Sequence, residues 1–218
     1  MSPDEFASRY PRLYHITGPE AVAGIRRHGL LATTELLTLF EASSATRQQI
    51  VGRIRPASVR ISHPVLGSAT ITDNIPMNER ALSACLDDGL STADWLAILN
   101  RRVFFWPDEK SVAIHVGASA RRGIDRIVMV FDTTSIAQAH HQQIEVSPIN
   151  SGSTIRKPAR RGLGTFSAIH RYEYGEWQRL RGMRDTIKEI TVIGGVRDVE
   201  RHLLECRDAA GFTQQRCS

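Results

Sequence analysis

Cysteine is scarce in this 218-residue chain: Cys85, Cys206 and Cys217 are scattered and odd in number. They make no metal-spaced pair, which excludes a thiolate zinc site and a disulfide scaffold and fits free thiols in a reducing cytoplasm. Long apolar runs are missing too. None reaches the ~18–20 residues of a bilayer span, so no membrane association is expected. The opening Met1-Ser2-Pro3-Asp4-Glu5 is acidic and does not read as a signal peptide. No phosphate-loop lysine motif, dinucleotide glycine fingerprint, repeat or low-complexity tract is present. The expected location is cytoplasmic.

What is there suffices for one core. Hydrophobic residues make up 41%, which predicts a single domain over 1–210 with a frayed tail over 211–218. Lys and Arg number 28 against 23 Asp and Glu, a net charge of +5 with histidine neutral. The arginines cluster at 47–60, 101–102, 121–122, 156–161 and 179–184. Such clusters suit a nucleic-acid or pyrophosphate partner, and equally a solvated basic surface.

Strands are expected at Val103–Trp106, Ile127–Asp132, Gln143–Ser147 and Ile187–Ile193. Helices are expected over 33–42 (capped by a threonine), 44–54, 76–88, 92–101 and 109–118, and from an Asp198 cap through Leu204. Residues 59–71 read as a strand pair or an inserted loop, and Asn150–Thr165 as a long loop. Strands and helices do not alternate regularly, so the fold class is α+β rather than a doubly wound sheet.

The densest signal is Leu13-Tyr14-His15-Ile16-Thr17-Gly18-Pro19-Glu20. A strand runs into a helix that Thr17 or Gly18 can cap and Gly29 can stop. His15 and Thr17 then stand at the mouth of the turn, able to hold a sugar or phosphate; His15 could as well bond nearby backbone. Phe104 or Phe105 could stack on a flat ring or simply pack in the core. Asn150-Ser151-Gly152-Ser153-Thr154-Ile155-Arg156-Lys157 suits a phosphate or sugar cradle or an exposed polar loop. Tyr172-Glu173-Tyr174-Gly175-Glu176-Trp177 sets two carboxylates among three aromatics, a setting used for acid–base and cation-stabilising chemistry.

In this order the pieces resemble the ADP-ribosyltransferase fold, nearest to the DarT-type bacterial enzymes that modify DNA bases. RNA 2′-phosphotransferases share a similar opening. A bacterial family carries the same landmarks: Tyr-His-x-Thr, Arg-Val-Phe-Phe-Trp, Asn-Ser-Gly-Ser-Thr and Glu-Trp. The resemblance implies a split β-sheet core with a helical insertion in the N-terminal half. It implies NAD as substrate, held by Tyr14, His15, Thr17 and Thr33, with Phe104 or Phe105 packing the nicotinamide. Ser153, Thr154 and Arg156 would complete that set. Glu176, or else Glu173, would support an oxocarbenium-like transition state beside His15, with Glu145 next in line. The usual central tyrosine is phenylalanine here, so one hydroxyl is missing. Implied partners are DNA or RNA and, for a toxin or anti-phage protein, an antitoxin. A non-catalytic nucleic-acid- or partner-binding protein and an RNA 2′-phosphotransferase-like enzyme are the alternatives.

If the arginine clusters serve nucleic acid, affinity for a short DNA or RNA duplex should fall steeply between low and moderate salt, as counterion release requires. Filter binding across a salt series checks this; a flat profile excludes a phosphate-tracking face.

Overall fold

The computed structural model describes residues 1–209 except Pro76, Arg156, Arg184 and Asp185. The chain-terminal segment read above as a tail, Cys217 and the Arg156 assignment therefore lie outside the described residues.

Helix α1 (Pro3–Arg9) starts on a Ser2 cap and leads to β1 (Arg12–Thr17). A 3-10 turn at Pro19–Ala21 passes into α2 (Val22–His28), then β2 (Leu30–Leu31). An insertion follows: α3 (Thr33–Leu39), α4 (Ser44–Val51), the hairpin β3 (Val59–His63) and β4 (Gly67–Ile71), α5 (Glu79–Ser83) and α6 (Thr92–Asn100). Beyond it lie β5 (Arg102–Phe105), α7 (Glu109–Ala120), β6 (Ile127–Asp132), α8 (Thr133–His140), β7 (Ile144–Ser147) and β8 (Ser167–Ala168). The described chain closes with α9 (Tyr174–Arg181), β9 (Glu189–Ile193), β10 (Gly195–Val196) and β11 (Leu203–Asp208).

Two antiparallel sheets carry the molecule, β1-β6-β11 and β5-β9-β7-β8. Their interior strands are β6 in the first and β9 and β7 in the second. Val128 to Phe131 and Glu189 to Val192 are all buried, as strands covered on both faces must be. The sheets meet at one bridge, Tyr14↔Trp106. Leu13, Phe105, Met129, Phe131, Ile136, Ile190 and Trp177 fill the core shared by the two sheets. The insertion carries its own centres, one around Leu37, Phe40, Ile50 and Ile61, the other around Leu82, Trp95, Leu96 and Phe166. The architecture is mixed helix and sheet, in line with the α+β expectation.

Local chemistry explains most boundaries. Ser91 and Asp94 form a reciprocal capping box that starts α6. Gly18, not Thr17, caps the first turn after β1, and Thr17 stays in the strand. Ala32 occupies the cap position of α3, where a threonine was expected, and that helix stops at Leu39. The expected 76–88 helix is reduced to the single turn of α5 on an Asn78 cap. Residues 59–71 resolve as the hairpin.

Two further elements depart from the sequence reading. Helix α8 follows β6 directly because the Asp132 carboxylate accepts the Ser135 amide at 3.0 Å, a cap hidden at a strand end. The expected last helix is a 3-10 turn at Val199–Arg201, and Leu204 lies in β11. That strand is largely exposed on its side chains, but it supplies the second neighbour that β6 needs.

Gly195, at φ 113°, pairs β10 with β2, and a Cβ there would lie 2.3 Å from Leu30 O. Gly24 in α2 has open space around it. Gly195→Ala should therefore lower stability by more than about 1 kcal/mol, whereas Gly24→Ala should raise it by roughly 0.5–1 kcal/mol. Urea unfolding of the two variants distinguishes the signs.

Candidate functional site

Strands β1 and β5 run side by side for a single residue pair. Tyr14 N–H donates to Trp106 O at 3.1 Å and Trp106 N–H to Tyr14 O at 2.8 Å. In an antiparallel ladder the next hydrogen-bonded pair would be Ile16 with Phe104. That pair is absent. Phe104 O is taken instead by His15 Nδ1, at 3.0 Å. The strands fork at this point, and the imidazole stands at the fork with its ring edge-on to Phe105, centroids 6.0 Å apart.

The hydrogen bond fixes the histidine's chemistry. A carbonyl only accepts, so Nδ1 carries the proton and neutral Nε2 presents a lone pair. Burial lowers the His15 pKa below its ordinary value, against the opposing pull of Phe104 O, so the neutral ring is favoured. His15 Nε2 has no hydrogen-bond partner among the described residues. Ile16 adds a second feature. Alternation along β1 points the amides of Leu13, His15 and Thr17 toward β6, and those of Tyr14 and Ile16 toward β5. The N–H and C=O of Ile16 thus face the fork.

A second polar cluster lies on the opposite face of the β5-β9-β7-β8 sheet from Phe105 and His15, the face that carries Arg102, Phe104, Glu145, Ser147, Glu189 and Thr191. Here Arg102 is paired with Glu145 at 2.7 Å and lies over the Phe166 ring. Glu189, only 4% exposed, accepts the Ser151 amide at 3.0 Å. The Ser151 carbonyl in turn accepts Arg161 Nη1 at 2.7 Å, and Arg161 is also buried. The Ser151 backbone is held on both sides, its N–H by a carboxylate and its C=O by a guanidinium, and this fixes the chain at Ser151 onto the sheet. Burial pushes the Glu189 pKa up from about 4.5 to about 7, against the lowering pull of Ser151 and Arg161. Nothing local in the sequence marks this group: Glu189 occupies a polar position of an alternating strand, and only the fold shows that the polar side is covered.

The expected site residues divide into groups. His15 meets the Phe104 carbonyl and the Phe105 ring at the fork, while the Phe104 ring packs on Phe166 on the other sheet face. Tyr14 is beside them, but its hydroxyl turns to Glu109 Oε1 at 3.4 Å, and burial pushes its pKa up to about 12. Thr17 is buried at the end of β1. Thr33 opens α3, away from any hydrogen bond with these groups. Thr154 is buried and accepts the Asn78 amide at 2.7 Å, while Ser153 Oγ accepts from Ile155 N. The Asn150–Ile155 stretch is therefore a pinned segment rather than an open loop.

Glu173 and Glu176 lie elsewhere. They form the capping box of α9, with Glu173 N–H donating to Glu176 Oε2 at 3.0 Å, and both are exposed. The adjacent Tyr174 lies under the Arg9 guanidinium, 3.9 Å from its centroid, and beside Tyr10. Tyr10 precedes His15 by five residues, on the order of 15 Å of extended chain. The helix start is thereby set near the opposite end of β1 from the fork. Two cavities of about 400 Å³ lie along Gly18–Glu20 with Asp125 and Arg126, and along Gln49–Val59. Neither is lined by His15.

Several clustered arginines also work inside the protein. Arg55 and Arg161 are buried, Arg102 is paired with Glu145, Arg160 with Asp87, and Arg47 holds Leu37 O and Ala42 O. Arg53, Arg101, Arg121, Arg122 and Arg179 are exposed and outside any ion pair among the described residues. Among the described residues, no helix is long and apolar enough to cross a membrane.

The chain belongs to a family of unknown function, DUF7002, whose profile matches residues 11–203. No curated protein and no solved structure matches it.

The raised Glu189 pKa has a definite sign. Between about pH 4.5 and 7 the folded state holds more proton at this site than the unfolded chain, so stability is greatest below that window and is lost as pH rises through about 7. Glu189→Gln should flatten the decline, measured as the difference in urea midpoint between pH 5 and pH 7.5. An unchanged difference would place Glu189 in contact with solvent.

Proposed function

We propose that this DUF7002 protein is an NAD-dependent ADP-ribosyltransferase with nucleic acid as acceptor. The observation that carries the reading is the fork between β1 and β5. There a side chain replaces the next ladder bond, and a strand edge faces the gap with its donor and acceptor unused. Ile16 N–H and C=O offer the complementary pair that a primary carboxamide such as nicotinamide requires. The Nε2 lone pair of His15 accepts a ribose hydroxyl. Phe105, buried in the core, packs edge-on against His15 and holds that ring in place. Breaking the nicotinamide bond then needs orientation and a negative charge near the developing sugar cation.

We assign that charge to Glu189 in preference to Glu176 or Glu173. Glu189 begins the strand next to β5, two strand spacings from β1, roughly 10 Å, and leaves the sheet on the face opposite His15 and Phe105, so its charge reaches the fork across the strand edge. The two α9 glutamates are occupied in starting their helix. Ionisation of Glu189 near pH 7 makes nicotinamide release rise with pH through that region. The exposed arginines without ion pairs, Arg101, Arg121 and Arg122 among them, give an anionic acceptor its counter-charge.

Wild-type protein should gain thermal stability with NAD, since a ligand that binds only the folded state shifts unfolding by mass action. His15→Ala should abolish most of that gain. Glu189→Gln should keep NAD binding and lower nicotinamide release by roughly 10²-fold or more, while Glu176→Gln and Glu173→Gln leave it within a few-fold. Loss in Glu176→Gln instead would return the role to α9. Absence of an NAD shift in the wild type, or an equal shift in His15→Ala, would sink the fork as a nucleotide site.

A further inference from the structure

We propose that His140, Asp198 and His202 bind a divalent transition-metal ion, with Zn²⁺ the best match to the donor set. This site is separate from the fork. It lies where β6 ends: Asp132 N–H donates to His202 O, and Asp132 pairs with Arg12 at the start of β1. The fork lies near the other end of β1, so neither reading depends on the other.

The elements bring the three groups together for local reasons. His140 is the last residue of α8. Asp198 and His202 flank the 3-10 turn Val199–Arg201, which sets them four apart on one side. His140 Nε2 lies 2.8 Å from Asp198 Oδ1, and His202 Nε2 lies 3.1 Å from Asp198 Oδ2. One donor atom from each residue falls within 4.8 Å of the others.

His202 supplies the independent indication. It is 3% exposed, and its Nε2 has no hydrogen-bond partner despite the carboxylate beside it. A buried ring nitrogen in that condition is costly unless something accepts its lone pair. Its other nitrogen is held: Nδ1 is hydrogen-bonded to Ser135 Oγ. With an ion bound, Nδ1 would donate to the hydroxyl and Nε2, which faces Asp198, would be free to ligate. This is the outer-shell arrangement that orients metal-binding imidazoles.

Two imidazoles and a carboxylate are borderline ligands that suit Zn²⁺ and its neighbours rather than Ca²⁺ or Mg²⁺. Tetrahedral bonds of about 2.0–2.2 Å separate ligand atoms by roughly 3.3 Å, so the present spacing admits an ion after a small outward shift. Asp198, with a side chain 31% exposed, leaves a path for a water as the fourth ligand. Bound there, the ion ties α8 to the turn that launches β11 and so fastens the edge of the β1-β6-β11 sheet.

The test uses the whole chain, stripped with a chelator and titrated with Zn²⁺ in a calorimeter. Wild type should take up one equivalent and gain thermal stability. His140→Ala, a partly exposed site expected to leave the fold intact by circular dichroism, should lose affinity by more than about 10²-fold. Ser135→Ala should lose about tenfold, the scale of an outer-shell contact. Affinity should fall on acidification, because protons compete with the ion for the imidazole nitrogens. Equal Zn²⁺ affinity in wild type and His140→Ala would overturn the proposal, since the ion would then sit on other histidines. No Zn²⁺-dependent stabilisation of the wild type would overturn it as well, leaving a plain histidine–aspartate network.

Discussion

A single bridged pair, Tyr14 with Trp106, joins the two sheets, and the position of everything near the fork follows from it. Had the ladder continued by one more hydrogen-bonded pair, β1 and β5 would lie in one continuous sheet and the edges of both would be closed. Instead the His15 side chain takes the Phe104 carbonyl. That substitution satisfies one acceptor, fixes the imidazole tautomer and leaves the Ile16 edge facing the gap. The divergence needs no glycine or proline. It requires only that the side chain compete successfully for a backbone acceptor at one position.

The second constraint is the clamp on the Ser151 peptide. A carboxylate on β9 accepts the Ser151 N–H and the Arg161 guanidinium donates to the Ser151 C=O, gripping the two peptide groups that flank one residue, and both charged groups are nearly removed from water. Removing either partner would leave the other buried and uncompensated, which costs more than the pair contributes. The segment over 150–161 is thus rigid where it crosses the sheet, although its composition is that of a flexible loop. Arg102 and Glu145 repeat the pattern on the same sheet face. The covered polar face is built from paired charges, and it absorbs basic residues that composition alone would assign to the surface.

Much of the fold was legible. The run Ile127-Val128-Met129-Val130-Phe131 marked a strand buried on both faces, and Ser91 with Asp94 marked the start of α6. What stayed hidden depended on tertiary partners. Helix α8 begins without a break after β6, so its cap residue doubles as a strand end. Strand β11 has little apolar content and exists because β6 has a free edge. In the site, the interest of Tyr14-His15 was visible as residue type and position, but the fork was not, since a strand's pairing partner is not written in its own sequence. The two α9 glutamates drew attention by their aromatic neighbours. Those aromatics turn out to serve the core and the Arg9–Tyr10 surface. Glu189 drew none, because an alternating strand always presents polar residues on one side and nothing local says whether that side meets water.

The buried carboxylate also sets the terms on which the proposed chemistry and the fold coexist. A group fully ionised at every physiological pH would stabilise a sugar cation well, but it would hold its charge in the sheet interior at all times. A group never ionised would be harmless to the fold and useless to the cation. With its pKa near 7, Glu189 stands between these limits. The Ser151 amide and Arg161 moderate the desolvation that burial imposes, and they keep the ionised form within reach. Stability and ionisation are then two readings of one equilibrium: a change that makes the carboxylate easier to ionise in the folded state also weakens the decline in stability toward neutral pH. Arg161 is the residue through which that coupling can be tuned, because its positive charge attracts the ionised Glu189 and lowers its pKa against burial.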